Sequence, residues 1–205
     1  PAADELRAAM GLPSNKTLLA VLPGSREGEV RHLMPVFTDA MHLLQARHTD
    51  LHFVIPAANA ERYQQIKSVL QSTALSVSLI LGQGREVMRC SDAIMIASGT
   101  ATLEAMLLRK PMVISYRMAS LSWAILSRLV TTPYVGLPNV LAGEEVVPER
   151  LQHHATTSQL ADAVSGLLEG DGDRQVRRFD ELTGLIGGNF AERSIDALLP
   201  LVKRR

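Results

Sequence analysis

Two spacings of apolar residues alternate along the first half of the chain. The run TLLAVL at 17–22 is short and β-rich and ends at Pro23-Gly24, as a buried parallel strand does. From Val30 onward apolar residues recur every three or four positions, which predicts a helix to about residue 47. The alternation continues with predicted strands at 52–56, 77–81, 93–97 and 112–116 and predicted helices at 60–71, 86–90 and 100–108.

Strands separated by helix-length segments predict right-handed crossovers and a parallel sheet with helices on both faces. We therefore expect an α/β, Rossmann-like fold with about five strands. After residue 119 the pattern becomes helical, interrupted by a connection at 131–149 that carries three prolines.

The last third of the chain is predicted to be a helical C-terminal segment. Thr156 and Gln159 form a capping box that opens a helix at 160–168, and GDGD at 170–173 then breaks the chain. Further helices are predicted at 174–185 and 190–202. This gives a Rossmann-like domain over 1–170 and C-terminal helices over 171–205, whose apolar stripes should pack on another domain or a partner.

The composition narrows the classes of function. The chain has 205 residues with 21 basic and 21 acidic side chains, and this neutrality argues against a broad basic surface for nucleic acid. A small anion site remains compatible with it. One cysteine, Cys90, excludes an internal disulfide framework and a thiolate metal site, which indicates a reducing compartment.

The longest apolar runs and the start of the chain indicate whether the sequence contains a membrane span or a secretory signal. No apolar run approaches the roughly 20 residues that would span a bilayer. The start PAADELRAAMGLPSNK lacks the basic and apolar regions of a secretory signal. It begins with Pro1 rather than Met, so we expect that the chain was cut from a longer one.

The end of the first strand is the first candidate site, because ligands of open parallel sheets bind beyond the carboxyl ends of strands. In PGSREGEV, at 23–30, Gly24 and Ser25 make a tight turn and Arg26 follows. A guanidinium there can bind two phosphate oxygens at once. The alternative is that Arg26 simply pairs with Glu27 or Glu29.

The fourth strand ends in a second candidate site, ASGTATLEAML at 97–107. Small residues at a helix start leave backbone N–H groups unshielded, which suits a diphosphate. By analogy with dinucleotide folds, Glu104 one turn later is a candidate for hydrogen bonds from a ribose. It could instead be a charge that merely favours the first turns of a helix. The small residues are Ser98, Gly99, Thr100 and Ala101.

The third strand ends in LGQGREVM at 81–88, where Gly84 belongs to a G-x-G that lacks the third glycine of the dinucleotide fingerprint. Close backbone approach to a flat base and a plain tight turn are equally compatible with it. Asp171 and Asp173 have a D-x-D spacing that could hold Mg²⁺, but they follow a helix and are expected to be solvated. We predict no metal site.

Several segments together resemble the C-terminal half of the lipid-A-disaccharide synthases, bacterial glycosyltransferases of the two-Rossmann-domain (GT-B) type. The resemblance covers nearly the whole chain from about Leu12, and PGSR together with LPNVLAG is its most specific part. The helix start SGTATLE is shared broadly among nucleotide-sugar glycosyltransferases. The matching segments are, in order, LPGSREGEV, GREVM, SDAIMIASGTATLEAML, PMVISYRM and YVGLPNVLAGEEVVPE.

The resemblance implies transfer of 2,3-diacylglucosamine from its UDP carrier, UDP-diacylglucosamine, to 2,3-diacylglucosamine 1-phosphate, with release of UDP and no metal or other cofactor. Arg26 and the turn at 98–101 would then neutralise the diphosphate, Glu104 would hold the ribose and the backbone near Gly84 would meet the uracil. Asn139 would lie in the active cleft as a catalytic residue. Its alternative role is that of a turn-stabilising Asn after proline.

The resemblance also implies what this chain lacks. The acceptor site and the general base would belong to an N-terminal domain outside these residues, so the isolated chain should bind UDP but not form disaccharide. The intact enzyme would work in the cytoplasm, peripheral to the cytoplasmic face of the inner membrane, since both substrates are lipids. The sequence leaves open whether the enzyme forms a homodimer.

Other classes of protein compete with this interpretation. Within enzymes these are another UDP-sugar GT-B protein, either a peptidoglycan glycosyltransferase or a UDP-N-acetylglucosamine 2-epimerase, and LPNVLAG argues against both. Outside enzymes, the chain could be a non-catalytic nucleotide-binding module or a receiver-like signalling domain. A receiver needs an acidic cluster at a strand end, where this chain has Gly, Ser and Arg.

Overall fold

The computed structural model describes residues 2–118 and 133–187. Within this part of the chain six parallel strands form one sheet, in the order β3-β2-β1-β4-β5-β6. The strands are β1 (Thr17–Leu22), β2 (Leu51–Ala57), β3 (Val77–Leu81), β4 (Ala93–Ala97), β5 (Met112–Tyr116) and β6 (Glu149–Leu151). The helices are α1 (Ala3–Ala9), α2 (Glu27–Arg47), α3 (Ala60–Leu70), α4 (Gly84–Cys90), α5 (Ala101–Leu107), α6 (Leu137–Ala142), α7 (Thr157–Gly166) and α8 (Gly172–Gly187).

The α/β class and the parallel sheet are confirmed, and the five predicted strands are all present. The estimate of about five strands missed β6, and α1 and α6 were not predicted. Helix α2 begins at Glu27 rather than Val30, because its first turn is polar and has no apolar period to reveal it. The break predicted at 170–173 is a kink at Gly170, whose φ of 131° ends one helix before α8 begins.

The sheet separates two apolar cores, as alternation of side chains along each strand requires. Leu19 and Phe53 point to one face, where α2, α3 and α7 cover them. Leu18 and Val54 point to the other face, beside α4 and α5. Because α2 and α5 lie on opposite faces, the chain leaves β1 and β4 in opposite directions, and a crevice opens between the carboxyl ends of these paired strands.

A polar network closes the opposite, amino edge of the sheet. The Asp92 carboxylate accepts hydrogen bonds from Arg7 Nη2, at 3.0 and 3.1 Å, and from the Leu18 N–H at 2.7 Å. Arg7 also donates to the Cys90 carbonyl at 2.9 Å, which ties α1 to the sheet. Burial raises the pKa of the Cys90 thiol. The network at this edge therefore has a structural role.

The part of the chain that the structure describes contains no helix both long and apolar enough to cross a membrane. The helix predicted after residue 119 and the one predicted at 190–202 lie outside the described residues, as does the end of the proposed segment 171–205. The division into domains at residue 170 stays a prediction.

Candidate functional site

A crevice of about 480 Å³ lies at the carboxyl ends of β1, β2 and β4. All the sequence-predicted site residues line it except Glu104 and Asn139. The residues brought together are Gly24, Ser25, Arg26, Gly84, Ser98, Gly99, Thr100 and Ala101. They follow the ends of β1, β3 and β4, which are far apart in sequence but lie in one parallel sheet in the order β3-β2-β1-β4.

The turn at 24–26, after β1, which we call the first turn, is held by a carboxylate of its own helix. The N–H groups of Ser25 and Arg26 donate to Glu29 Oε2 at 2.9 and 3.1 Å. Arg26 Nη1 donates to Glu29 Oε1 at 2.9 Å. Gly24 has a φ of +107°, and a Cβ on it would stand 2.3 Å from Glu29 Oε2. Glu29 therefore packs directly on the glycine backbone and occupies both N–H donors.

The pairing of Arg26 with Glu29 was the alternative to a phosphate-binding role. The Arg26 side chain is 81% exposed, and an exposed ion pair contributes about 0–1 kcal/mol. A pair this weak does not prevent Arg26 from binding a phosphate, so the two roles are compatible. Phosphate binding by Arg26 stays a prediction.

The turn at 98–101, after β4, which we call the second turn, is open. Within the described part of the chain the N–H groups of Gly99, Thr100 and Ala101 donate to no acceptor. No side chain caps the start of α5, and a Cβ on Gly99 would meet nothing within 4 Å. Three adjacent N–H donors facing a crevice can bind an anion.

Ser98 anchors the second turn to two neighbouring segments. Its N–H donates to the Ser115 carbonyl at the end of β5, at 2.9 Å. Its hydroxyl donates to the Val135 carbonyl at 3.1 Å, in the loop that precedes α6. The position of the turn therefore depends on how this loop is held.

Glu104 lies outside the crevice lining and has a partner that the sequence did not reveal. Its Oε1 is 3.6 Å from Nε of Arg85, in the first turn of α4, and 43% of the Glu104 side chain is exposed. The pair joins the helices that follow β3 and β4. Neither side chain lines the crevice, and the ribose role of Glu104 stays a prediction.

Asn139, predicted to lie in the active cleft, is fully buried in α6. Its Nδ2 donates to the Val147 carbonyl at 2.7 Å and to Glu149 Oε1 at 2.8 Å. Its Oδ1 accepts from the N–H groups of Val146 and Val147, each at 2.8 Å. These four bonds use the whole amide, as the turn-stabilising alternative requires. A catalytic role for Asn139 stays a prediction.

Glu149, which the sequence did not single out, is the partner that connects Asn139 to the preceding loop. Its carboxylate accepts from the N–H groups of Val135 at 3.0 Å and Gly136 at 2.9 Å, besides the Asn139 amide. A Cβ on Gly136 would stand 2.4 Å from Cδ1 of Ile114 and 3.0 Å from Glu149 Oε1. The Glu149 carboxylate accepts hydrogen bonds from three donors and therefore holds the loop against the end of the sheet.

The remaining sequence candidates stay apart from the crevice. Asp171 pairs with Arg174 at 2.6 Å in an exposed position, and Asp173 is exposed as well. The described residues contain no group of three or more His, Cys, Asp or Glu side chains that could hold a metal ion.

The fold belongs to a class represented among solved nucleotide-sugar enzymes. The structure of E. coli ADP-heptose lps heptosyltransferase II matches with a TM-score of 0.61 at 12% identity, over 82% of this chain and 51% of that one. UDP-GlcNAc 2-epimerase from Neisseria meningitidis, bound to UDP-GlcNAc, matches with a TM-score of 0.59 at 16% identity, over 92% and 48%. Both confirm the Rossmann-like fold.

The sequence comparisons then identify the family. The model of the lipid-A-disaccharide synthetase family matches residues 1–197, and the chain belongs to this family. It is 44% identical to the lipid-A-disaccharide synthase of Pseudomonas aeruginosa PAO1 over 200 residues, covering 97% of this chain and 53% of the relative. The Pseudomonas putida KT2440 synthase gives 44% over 199 residues, covering 97% and 52%. The chain thus spans about half the length of these curated relatives, and the resemblance drawn from the motifs is confirmed.

Proposed function

We propose that this chain is the UDP-donor-binding half of a glycosyltransferase of lipid A biosynthesis. The reaction transfers 2,3-diacylglucosamine from its UDP carrier to 2,3-diacylglucosamine 1-phosphate and releases UDP. The observation that carries the proposal is the family match over residues 1–197, combined with a crevice lined by GSR of the segment PGSR and by SGTA, both within the segments that resemble the family.

The leaving group of this reaction is a diphosphate, and the crevice can stabilise the charge that develops on it. The open N–H groups of Gly99, Thr100 and Ala101 are fixed donors on one side. Arg26 borders the other side and can exchange Glu29 for a phosphate oxygen. Donors that are already in place need no reorganisation during the reaction, which makes this kind of stabilisation effective. In this proposal no metal ion takes part.

The nucleoside would lie toward α4. Gly84 allows the backbone to approach a flat base, since a Cβ there would meet nothing within 4 Å and the residue lines the crevice. Glu104 would accept a hydrogen bond from a ribose hydroxyl, with Arg85 holding the carboxylate in place. Two solved proteins with this fold, S. aureus MnaA and the Neisseria meningitidis epimerase, bind UDP and UDP-GlcNAc respectively, which supports uracil as the base.

The acceptor hydroxyl needs a general base on the opposite side of the sugar from the leaving diphosphate. Glu29, the carboxylate in the crevice lining, already accepts three hydrogen bonds. We therefore place the base in the half of the relatives' length that this chain does not span. The 205-residue chain should bind UDP without forming disaccharide.

Two measurements on the purified chain test the proposal. In calorimetric titrations UDP should bind while ADP and an acyl-phosphate mimic bind far more weakly; equal affinities would point to a general nucleotide module or a receiver. In a radiolabelled transfer assay the chain alone should give no disaccharide, and adding the N-terminal half of a relative, in cis or in trans, should restore turnover. Robust turnover by the chain alone would place a complete catalytic set within these residues.

The epimerase alternative has its own control. Incubated with UDP-N-acetylglucosamine, the chain should produce no epimer, with or without the added half. The lipid substrates also lead us to propose that the intact enzyme works at the cytoplasmic face of the inner membrane. Co-sedimentation of the intact enzyme with anionic phospholipid vesicles checks this, and failure to sediment would contradict it.

A further inference from the structure

The loop before α6 is fixed by one carboxylate, and the loop in turn fixes the second turn of the crevice. We propose that Glu149 is a positioning residue for diphosphate binding, acting on Ser98 through the backbone of Val135. The inference rests on the proposed function, because it concerns the same crevice. Glu149 does not line the crevice, so any effect it has on UDP must be transmitted.

The route is a continuous series of hydrogen bonds. Glu149 Oε2 accepts from the Val135 N–H at 3.0 Å, and the Val135 carbonyl accepts from the Ser98 hydroxyl at 3.1 Å. Both contacts involve the same residue of the loop, so the carboxylate sets where the carbonyl lies. Ser98 is the first residue of the second turn, and the open N–H donors follow it directly.

A carboxylate is required at this position because of the number of donors. Two N–H groups and the Asn139 amide converge on Glu149, and its two oxygens accept from all three. A glutamine has only one acceptor oxygen, and its NH₂ group would face at least one of these donors. Glu149→Gln keeps the size of the side chain but turns one of the three bonds into a repulsive contact, which loosens the loop.

The same network explains how Asn139, which is buried outside the crevice and belongs to the segment LPNVLAG, can still affect the crevice. Asn139 donates to Glu149 Oε1 and so orients the carboxylate, while its oxygen holds the N–H groups of Val146 and Val147. It therefore contributes to the crevice without touching it. Asn139 and Glu149 act as one unit behind Ser98.

The test compares Glu149→Gln, Ser98→Ala and the double variant. Each single variant should weaken UDP binding roughly three- to tenfold, the range that the loss of one hydrogen bond gives. The double variant should be no weaker than Glu149→Gln alone, because both changes break the same route. Additive losses would show that Glu149 does not act through Ser98, and unchanged UDP affinity in Glu149→Gln would overturn the proposal.

Asp92→Asn is the matched control. Asp92 is also a carboxylate with several donors and lies just before β4, at the strand end opposite to Ser98. This variant should lower the thermal midpoint without changing UDP affinity. A loss of UDP affinity in Asp92→Asn equal to that in Glu149→Gln would mean that destabilisation alone weakens binding.

A second readout separates this inference from the proposed function. The Ser98 N–H is bonded to Ser115, so its amide hydrogen exchange reports how firmly the second turn is held. Glu149→Gln should accelerate exchange at Ser98, whereas Asp92→Asn should not. If the wild-type chain failed to bind UDP, the proposed function would fail, and exchange at Ser98 would still decide whether Glu149 positions the turn.

Discussion

The first and second turns of the crevice occupy equivalent places at the ends of paired strands, yet they offer different chemistry. In the first turn the N–H groups of Ser25 and Arg26 are taken by Glu29. In the second turn the N–H groups from Gly99 to Ala101 have no acceptor within the described part of the chain. One turn therefore presents an exposed cation and the other presents open backbone donors. A strand end followed by a glycine turn does not by itself specify an anion site, because the following helix can fill it.

The largest expected difference concerns the two glycines. Gly24→Ala should lower the free energy of unfolding by about 2–3 kcal/mol, because φ is +107° and the Cβ would collide with Glu29. Gly99→Ala should change it by no more than about 0.5 kcal/mol, since its Cβ would enter open space. Urea denaturation of both variants measures this. Equal costs would mean that the two turns are held in the same way.

The next difference concerns the cation of the first turn. Arg26→Ala should reduce the free energy of UDP binding by about 1.5–3 kcal/mol, and Arg26→Lys should recover only part of it because the planar fork is lost. Arg31→Ala is the control, since Arg31 lies in α2, the helix that follows the first turn, and forms an exposed ion pair with Glu27 at 3.7 Å. Calorimetry should show no change for Arg31→Ala. Unchanged affinity in both Arg26 variants would assign Arg26 to its pair with Glu29 alone.

A smaller effect is expected on the helix that follows the second turn. Glu104→Gln should weaken UDP binding by about 0.5–1.5 kcal/mol, the contribution of one hydrogen bond. The wild-type chain should prefer UDP to 2′-deoxy-UDP or 3′-deoxy-UDP, and the variant should lose that preference. Glu27→Gln, in the first turn of α2, serves as the control. A preference that survives in Glu104→Gln would assign the ribose to another group.

The smallest expected effect is that of metal ions on UDP affinity, which should be zero. If Arg26 and the open N–H groups neutralise the diphosphate together, EDTA should leave UDP affinity unchanged, and added Mg²⁺ should not increase it. The measurement is the same titration with and without chelator. A collapse of affinity in EDTA would show that the two turns are insufficient and that a metal ion completes the site.

The sequence predicted the central sheet because buried parallel strands are apolar throughout, so the five longer strands were visible as runs. Strand β6, ERL, has three residues, two of them charged, and carries no such signal. The eight predicted crevice residues were found because each follows a strand closely, whereas Glu29 and the end of β2 at 56–58 also line the crevice and were not predicted. The role of Glu149 could not be found in this way, because its carboxylate binds a loop residue, Gly136, that lies 13 positions earlier in the chain.

The pairing of Leu19 with Ala93, 74 positions further along the chain, has a consequence for how this protein folds. During synthesis β1, β2 and β3 emerge before β4 exists, so one side of the central strand TLLAVL stays unpaired in the nascent chain. An unpaired apolar edge is prone to wrong association until its partner arrives. The crevice lies at this same junction, so ligand binding there requires that the long-range pairing of β1 with β4 is complete.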